Sequence, residues 1–245
     1  MDHYTNEAVM NKTYWIITIV LSIAIIIAGY FIGNMHKTGK MYDRYVQVKG
    51  LSEREVNADL AVWPIQITLT GNDLGSLKKA LESQNEQVYR FFIDHEFTDN
   101  EITRGTTNIQ DARANIYNSN QGNSEYRYLA ISELTVRTSD IKKLQKALTE
   151  SLDLMSQGIL LGSKNSWKPI EYIYTGLNDL KPSMIEEATT NAREVAEKFA
   201  RDSGSTVGKI RVARQGLFTI TDRDQNTPEI KIVRVVSTID YQLKN

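Results

Sequence analysis

The sequence predicts an α+β protein. One N-terminal transmembrane helix precedes a mainly antiparallel sheet domain with helices packed on it, in the order ββαββαβαββ. Three observations carry this. Residues 14–33 form a run of 20 without a charged side chain. Beyond it, stretches alternating apolar and polar residues are interrupted by three with apolar residues three and four apart. Strands in runs broken by single helices favour antiparallel sheet over a parallel βαβ design.

The first element is YWIITIVLSIAIIIAGYFIG, residues 14–33. A helix of that length spans about 30 Å, the thickness of bilayer hydrocarbon. Tyr14 and Trp15 open it and Tyr30 and Phe31 close it, where interfacial aromatics sit. The run exceeds the about 7–15 residues of a signal-peptide core. Asp2 and Glu7 outweigh Lys12 before it, and no small-x-small cleavage site follows, so a retained single-pass anchor is expected. Lys37, Lys40 and Arg44 after the run, against Lys12 before it, favour a cytoplasmic domain, but that rule weakens for long translocated domains. Orientation therefore stays open. Gly29 and Gly33 have the G-x-x-x-G spacing that lets two such helices approach. Residues 1–13 are then a tail, 34–43 a polar linker, and 44–245 the folded domain.

Tyr45, Val46 and Val48 alternate with polar residues, a strand ending at Gly50, and Ser52 to Glu55 is a polar connection. Val56 to Thr70 resumes strand character, with Pro64 implying an edge or a bulge because proline donates no ladder bond. Leu74, Leu77, Leu81, Val88 and Phe91 or Phe92 mark one face of a helix from 74 to about 95. Residues 102–116 are strand-like but polar, as suits an edge, and 126–137 alternate clearly; a loop at 117–125 makes the two a hairpin. Ser139 and Asp140 cap a helix from 141 to 155, which Gly158 stops. Residues 159–174 carry strand signal at both ends of a turn. Ser183 with Glu186 is a capping box for a helix to Arg201 that buries Ile185, Ala188, Ala192, Val195, Ala196 and Phe199. Its alanines let the helix pack close to a sheet. Gly204 ends it, and residues 206–220 and 229–243 are the last strands.

The composition narrows function mostly by exclusion. A formal charge of −1 lacks the basic excess of a nucleic-acid binder. With no cysteine there is no disulfide, thiol nucleophile or thiolate metal site. His3, His36 and His95 have no metal-ligand spacing. Asp222-x-Asp224-x-Asn226 opens like a calcium loop, but Thr227 stands where the glycine belongs and Val233 where the glutamate belongs, so it reads as a hairpin loop. Asp59 interrupts an apolar strand and reads as a solvent-facing or turn-capping carboxylate. Trp167, Tyr172 and Tyr174 would line a groove or an interface, or pack. No catalytic, cofactor-binding or metal residue is assigned, and any enzyme reading would have to draw on Asp59, Asp222 or Asp224.

Three groups of residues carry a family resemblance. They are Val46-x-Val48-x-Gly50 with Ser52-Glu53, Val56 and Ala58-Asp59; the strand 126–136 followed by Ser139-Asp140; and Glu187-Ala188, Asn191-Ala192-Arg193, Ala196-Glu197 and Phe199-Ala200, closed by Gly204 and Val207 to Ile210. In this order they resemble the SIMPL (DUF541) family of bacterial envelope proteins. The resemblance implies an exported α+β domain that assembles into homo-oligomers, linked in bacteria to oxidative stress and outer-surface antigenicity and, in eukaryotic relatives, to adaptor roles. It carries over no catalytic residue. It also implies a domain outside the cytoplasm, held in the periplasm by an inner-membrane anchor. The expected protein is thus membrane-anchored, non-enzymatic and self-assembling, with a link to stress implied by that resemblance alone; the alternative is an adaptor or binding module for an envelope partner or ligand.

Overall fold

The computed structural model describes residues 15, 17–33, 44–114, 125–163 and 169–244. Residues 1–13 and 34–43, with His3 and His36, lie outside them, as does Trp167.

Among the described residues no helix is long and apolar enough to cross a membrane. The described helical residues 17–33 are α1. The transmembrane helix expected at 14–33 does not stand, and neither does the single-pass inner-membrane placement built on it. Within α1 the Ser22 hydroxyl donates to the Thr18 carbonyl at 2.8 Å.

The remaining elements are β1 (Tyr45–Asn57), β2 (Leu60–Gly71), α2 (Leu74–Asp94), a 3-10 turn (Asp99–Glu101), β3 (Ile102–Asp111), β4 (Tyr128–Thr138), α3 (Ile141–Glu150), α4 (Leu152–Ser156), β5 (Leu161–Gly162), β6 (Glu171–Ile173), α5 (Leu177–Asp202), β7 (Thr206–Gln215), β8 (Thr219–Asp222) and β9 (Ile230–Lys244). The expected order ββαββαβαββ is corrected in three places. The helix expected at 141–155 breaks at Ser151, whose hydroxyl donates back to the Leu148 carbonyl at 2.7 Å, a bond that bends helices. The strand signal at 159–174 resolves into two short strands. The strand expected at 206–220 breaks at Gly216, where a Cβ would lie 2.6 Å from the Val236 carbonyl oxygen.

The strands form two sheets. One runs β1-β9-β7, with β8 also on β9; the other runs β3-β4-β2-β5, with β6 also on β2. The chain divides into two compact units: 1–52, 183–218 and 235–245, and 53–182 with 219–234.

In the second unit, α2 buries Leu77, Leu81, Val88 and Phe92. Asp73 caps it, accepting from the Ser76 N–H at 2.8 Å. Phe92 meets the rings of Trp63 and Phe97 edge-on at 5.6 and 5.3 Å, the favoured aromatic geometry. Pro64 sits opposite Thr135 with no shift in the β2–β4 register. On its other side β6 pairs Leu60 to Val62 and β5 pairs Gln66 and Ile67. Among the described residues Pro64 has no strand partner on that side, and the β2–β4 register shows no bulge at it.

In the first unit, β1 continues through the stretch expected to be a connection. Val48, Gly50 and Ser52 are buried at strand spacing. The buried Ser52 hydroxyl donates to Glu187 at 2.9 Å, so its polarity interrupts nothing. Met184, Ala188, Ala192, Ala196 and Ala200 form the buried stripe of α5. Val195 and Phe199, expected inside, are 40% and 57% exposed. The stripe follows the alanines because β1 lies too close for larger groups: a Cβ on Gly50 would stand 1.8 Å from the Ala188 carbonyl oxygen and 2.6 Å from the Ala192 nitrogen. The helix also starts at Leu177 rather than at the Ser183 capping box, and holds Pro182 inside it.

Gly50→Ala is expected to cost about 3 kcal/mol or more, because its methyl meets backbone on both sides and neither can yield cheaply. Gly75→Ala, near the start of α2 with only the Asp73 carboxylate at 3.6 Å, should instead gain about 0.5 kcal/mol. Urea unfolding of the two variants measures both, and equal stabilities would show that the close approach is not a constraint.

Candidate functional site

The carboxylates singled out from sequence are each committed to local structure. Asp59 sits in the break between β1 and β2. It accepts from the Thr175 N–H at 2.9 Å, the Thr175 hydroxyl at 3.0 Å and the Gly176 N–H at 3.1 Å. It therefore ties down the turn that leads into α5, as a turn-capping carboxylate does. Asp224 accepts from the N–H groups of Asn226 and Thr227, each at 2.8 Å, and from the Thr227 hydroxyl at 2.5 Å. The Thr227 hydroxyl, the Asn226 N–H and Arg223 hold its carboxyl down to about 2. Those bonds spend the oxygens a calcium loop would need. Asp222 receives the ammonium of Lys231, which is only 3% exposed. Among the described residues no group of three or more His, Asp or Glu side chains is arranged to hold a metal.

His95 closes α2. Its Nδ1 lies 2.6 Å from the Phe91 carbonyl oxygen and its Nε2 2.6 Å from Glu150, so it joins the end of α2 to the end of α3. Tyr172 is buried in the core, which raises its hydroxyl above the usual range. Tyr174 is raised by burial and by the nearby charges of Asp59 and Asp179.

The structure builds a groove that the sequence candidates do not include. The β3–β4 register shifts between Arg104 and Thr107, leaving Gly105 and Thr106 as a bulge. A Cβ on Gly105 would stand 2.9 Å from that of Glu133. Beside this bulge lies a cavity of about 420 Å³, lined by Glu82, Asn85 and Glu86 of α2, Arg104, Gly105 and Thr107 of β3, and Ser132, Glu133 and Leu134 of β4. Arg104 pairs with Glu86 at 3.3 Å and stacks over the Tyr89 ring at 4.4 Å. Glu86 thus pairs with both Arg104 and Arg90, Glu82 pairs with Lys78, and Glu133, between the buried Ser132 and Leu134, accepts from the Gln66 carboxamide on the other face of the sheet. The available signal was Gly105 inside a strand pattern, which marks bulges.

Among the described residues the outer side of β3 takes no strand partner, and it ends its sheet. All of Thr103 to Gln110 is exposed. Arg104 is the sole charged residue in that span.

The motif residues from opposite ends of the chain meet in the first unit. Gly50 lies on Ala188 and Ala192, Ser52 bonds Glu187, and the Asn191 carboxamide donates to the Leu51 carbonyl at 2.8 Å. A family model, SIMPL, described as a protein of unknown function (DUF541), matches residues 46–233. The chain belongs to the SIMPL family. No curated protein matches it. In this SIMPL protein the recurrent motif is therefore a packing device in which small residues and paired polar groups clamp a helix to a strand.

A second clamp forms at Glu101. Burial opposes its charge, but hydrogen bonds from the Thr138 hydroxyl, the Thr98 N–H at 2.9 Å and the Lys143 ammonium at 2.9 Å hold its carboxyl down to about 2 from 4.5. Lys143 also lies 4.5 Å from the Phe97 ring centre. One carboxylate so joins the 3-10 turn, the end of β4 and the start of α3.

A carboxyl depressed on folding stabilises fully above its unfolded value and loses that contribution as pH falls toward its folded one. For Glu101 the window runs from about 4.5 down to about 2, and the amount is on the order of 2–3 kcal/mol. Glu101→Gln should flatten this part of the acid-unfolding curve. Superimposable curves for the variant and the native protein would count against the clamp.

Proposed function

We propose that this SIMPL-family protein is non-enzymatic and works by self-assembly into a homo-oligomer. The observation that supports the reading is β3, a ten-residue strand at the end of its sheet among the described residues, exposed from Thr103 to Gln110. Free edges present unpaired N–H and C=O groups to any strand that fits. Natural proteins usually blunt them with charged side chains, proline, bulges or a short length. β3 carries a bulge and Arg104 in its first half, and Thr107 to Gln110 beyond them carry neither charge nor proline. The carboxylates that would be needed for chemistry are instead engaged in turns and clamps.

A second reading, an adaptor that binds another protein, is favoured by one feature. Leu152, Met155 and Leu160 are 64%, 53% and 66% exposed around a hollow of about 150 Å³ that Trp63 and Pro169 also line. A contiguous apolar surface of this kind marks interaction sites.

Light scattering on the full chain should show concentration-dependent assembly. Asn108→Lys, which places a cation on the free edge, should weaken that assembly about tenfold or more without altering the circular dichroism. Leu152→Glu should leave it unchanged. Assembly that survives N108K but fails in L152E would move the interface to the apolar surface and favour the adaptor reading.

A further inference from the structure

We propose that the groove between α2 and β3 is a binding site for a neutral polyhydroxylated ligand, a free sugar or a unit of a glycan chain. This stands apart from the self-assembly reading, and neither depends on the other.

The groove, at about 420 Å³, is of the size that holds one small polar molecule. Its floor comes from β4. The buried row there reads Ala130, Ser132, Leu134 and Val136, so a short hydroxyl side chain interrupts an apolar row. Thr107 of β3 stands opposite Ser132, and the two hydroxyl oxygens lie 3.3 Å apart. One of them donates to the other, whose own hydrogen is then left for a further acceptor.

The walls carry polar groups already held in place. Glu86 of α2 accepts from Arg90 at 3.1 Å and from Arg104 at 3.3 Å. Arg104 also lies over the Tyr89 ring at 4.4 Å. Two contacts thus fix its guanidinium before a ligand arrives, which lowers the ordering cost of binding. Asn85, one residue before Glu86, is half-buried, and among the described residues its carboxamide makes no hydrogen bond. It leaves two N–H donors and one carbonyl acceptor at the groove.

This set of groups selects a chemical class. Glu86 is balanced by Arg90 and Arg104, and Glu82 by Lys78 at 3.5 Å. A free anion or cation must therefore break an existing pair to gain a new one. An apolar ligand would strip water from Asn85 and the hydroxyl pair and give no hydrogen bond in return. Adjacent hydroxyl groups on a neutral ring meet both conditions, because each donates and accepts. Carboxylate, carboxamide and guanidinium each present two polar atoms side by side to such a pair. Leu134 offers the apolar contact that the C–H face of a sugar ring needs.

NMR titration of the isotopically labelled full-length protein tests this. The probes are glucose, N-acetylglucosamine and cellobiose, with glucosamine and glucuronate as charged forms of a similar ring. At least one neutral sugar should shift the Gly105 amide resonance with a Kd of about 1–10 mM. The charged forms should bind about threefold or more weaker. Asn85→Ala and Thr107→Val should each weaken binding about fivefold or more, since each removes a hydrogen-bonding group. Circular dichroism establishes that the variants fold. Asn85→Ala, at a half-buried helix position, carries the test alone should Thr107→Val not fold. Cellobiose binding tighter than glucose identifies a glycan chain as the source and equal binding a free monosaccharide; either supports the site. Three results overturn it: no shift at Gly105 with any neutral sugar up to about 50 mM, tighter binding of a charged form, or native-like binding by a folded variant.

Discussion

The α5 helix rests on β1 with no side chain between them at Gly50. A Cβ there would overlap the Ala188 carbonyl, so glycine on the strand and alanine every fourth residue on the helix are two halves of one requirement. Close approach multiplies dispersion contacts that are individually small. It also removes space for ordinary polar side chains, and the ones that remain must be paired. Ser52 with Glu187, and Asn191 with the Leu51 carbonyl, satisfy that demand at the same seam. The family's motif residues gather here because the packing distance admits few others.

The same economy governs the acidic residues. Asp59, Asp224 and Glu101 each accept several N–H or hydroxyl donors, which stabilise the ionised carboxylate and organise a turn or a helix start. Glu101 and Asp224, whose carboxyls are held down to about 2, are poor general bases because their proton affinity is low. What the second unit leaves unspent is surface: a bulged edge strand, a carboxylate-lined groove beside it and an apolar patch near α4.

Much of the fold was legible from local pattern. The amphipathic α2, the Asp140 cap of α3 and the pairing of β3 with β4 follow from spacing and capping chemistry that act within a few residues. Other features were misjudged where a distant partner overrode the local signal. The polar Ser52 to Glu55 stretch looked like a turn, yet α5 lets Ser52 stay inside a strand. Val195 and Phe199 looked like core, yet the short distance to β1 admits alanine alone. The Ser183 capping box looked like a helix start, yet Asp59, more than a hundred residues away, anchors the chain ahead of Leu177. Residues 14–33 looked long enough to span a bilayer, yet among the described residues no helix is long and apolar enough to cross a membrane.

By itself the sequence determined the family, the alternation of strands and helices, and the absence of thiol chemistry, because these depend on residue identity and near-neighbour spacing. Only the tertiary structure decided where the free edges lie, which side of α5 is buried, and that Glu82, Glu86 and Glu133 surround one groove. Those properties depend on which strand lacks a neighbour and on how near two backbones come. Both are set by contacts between residues far apart in the chain.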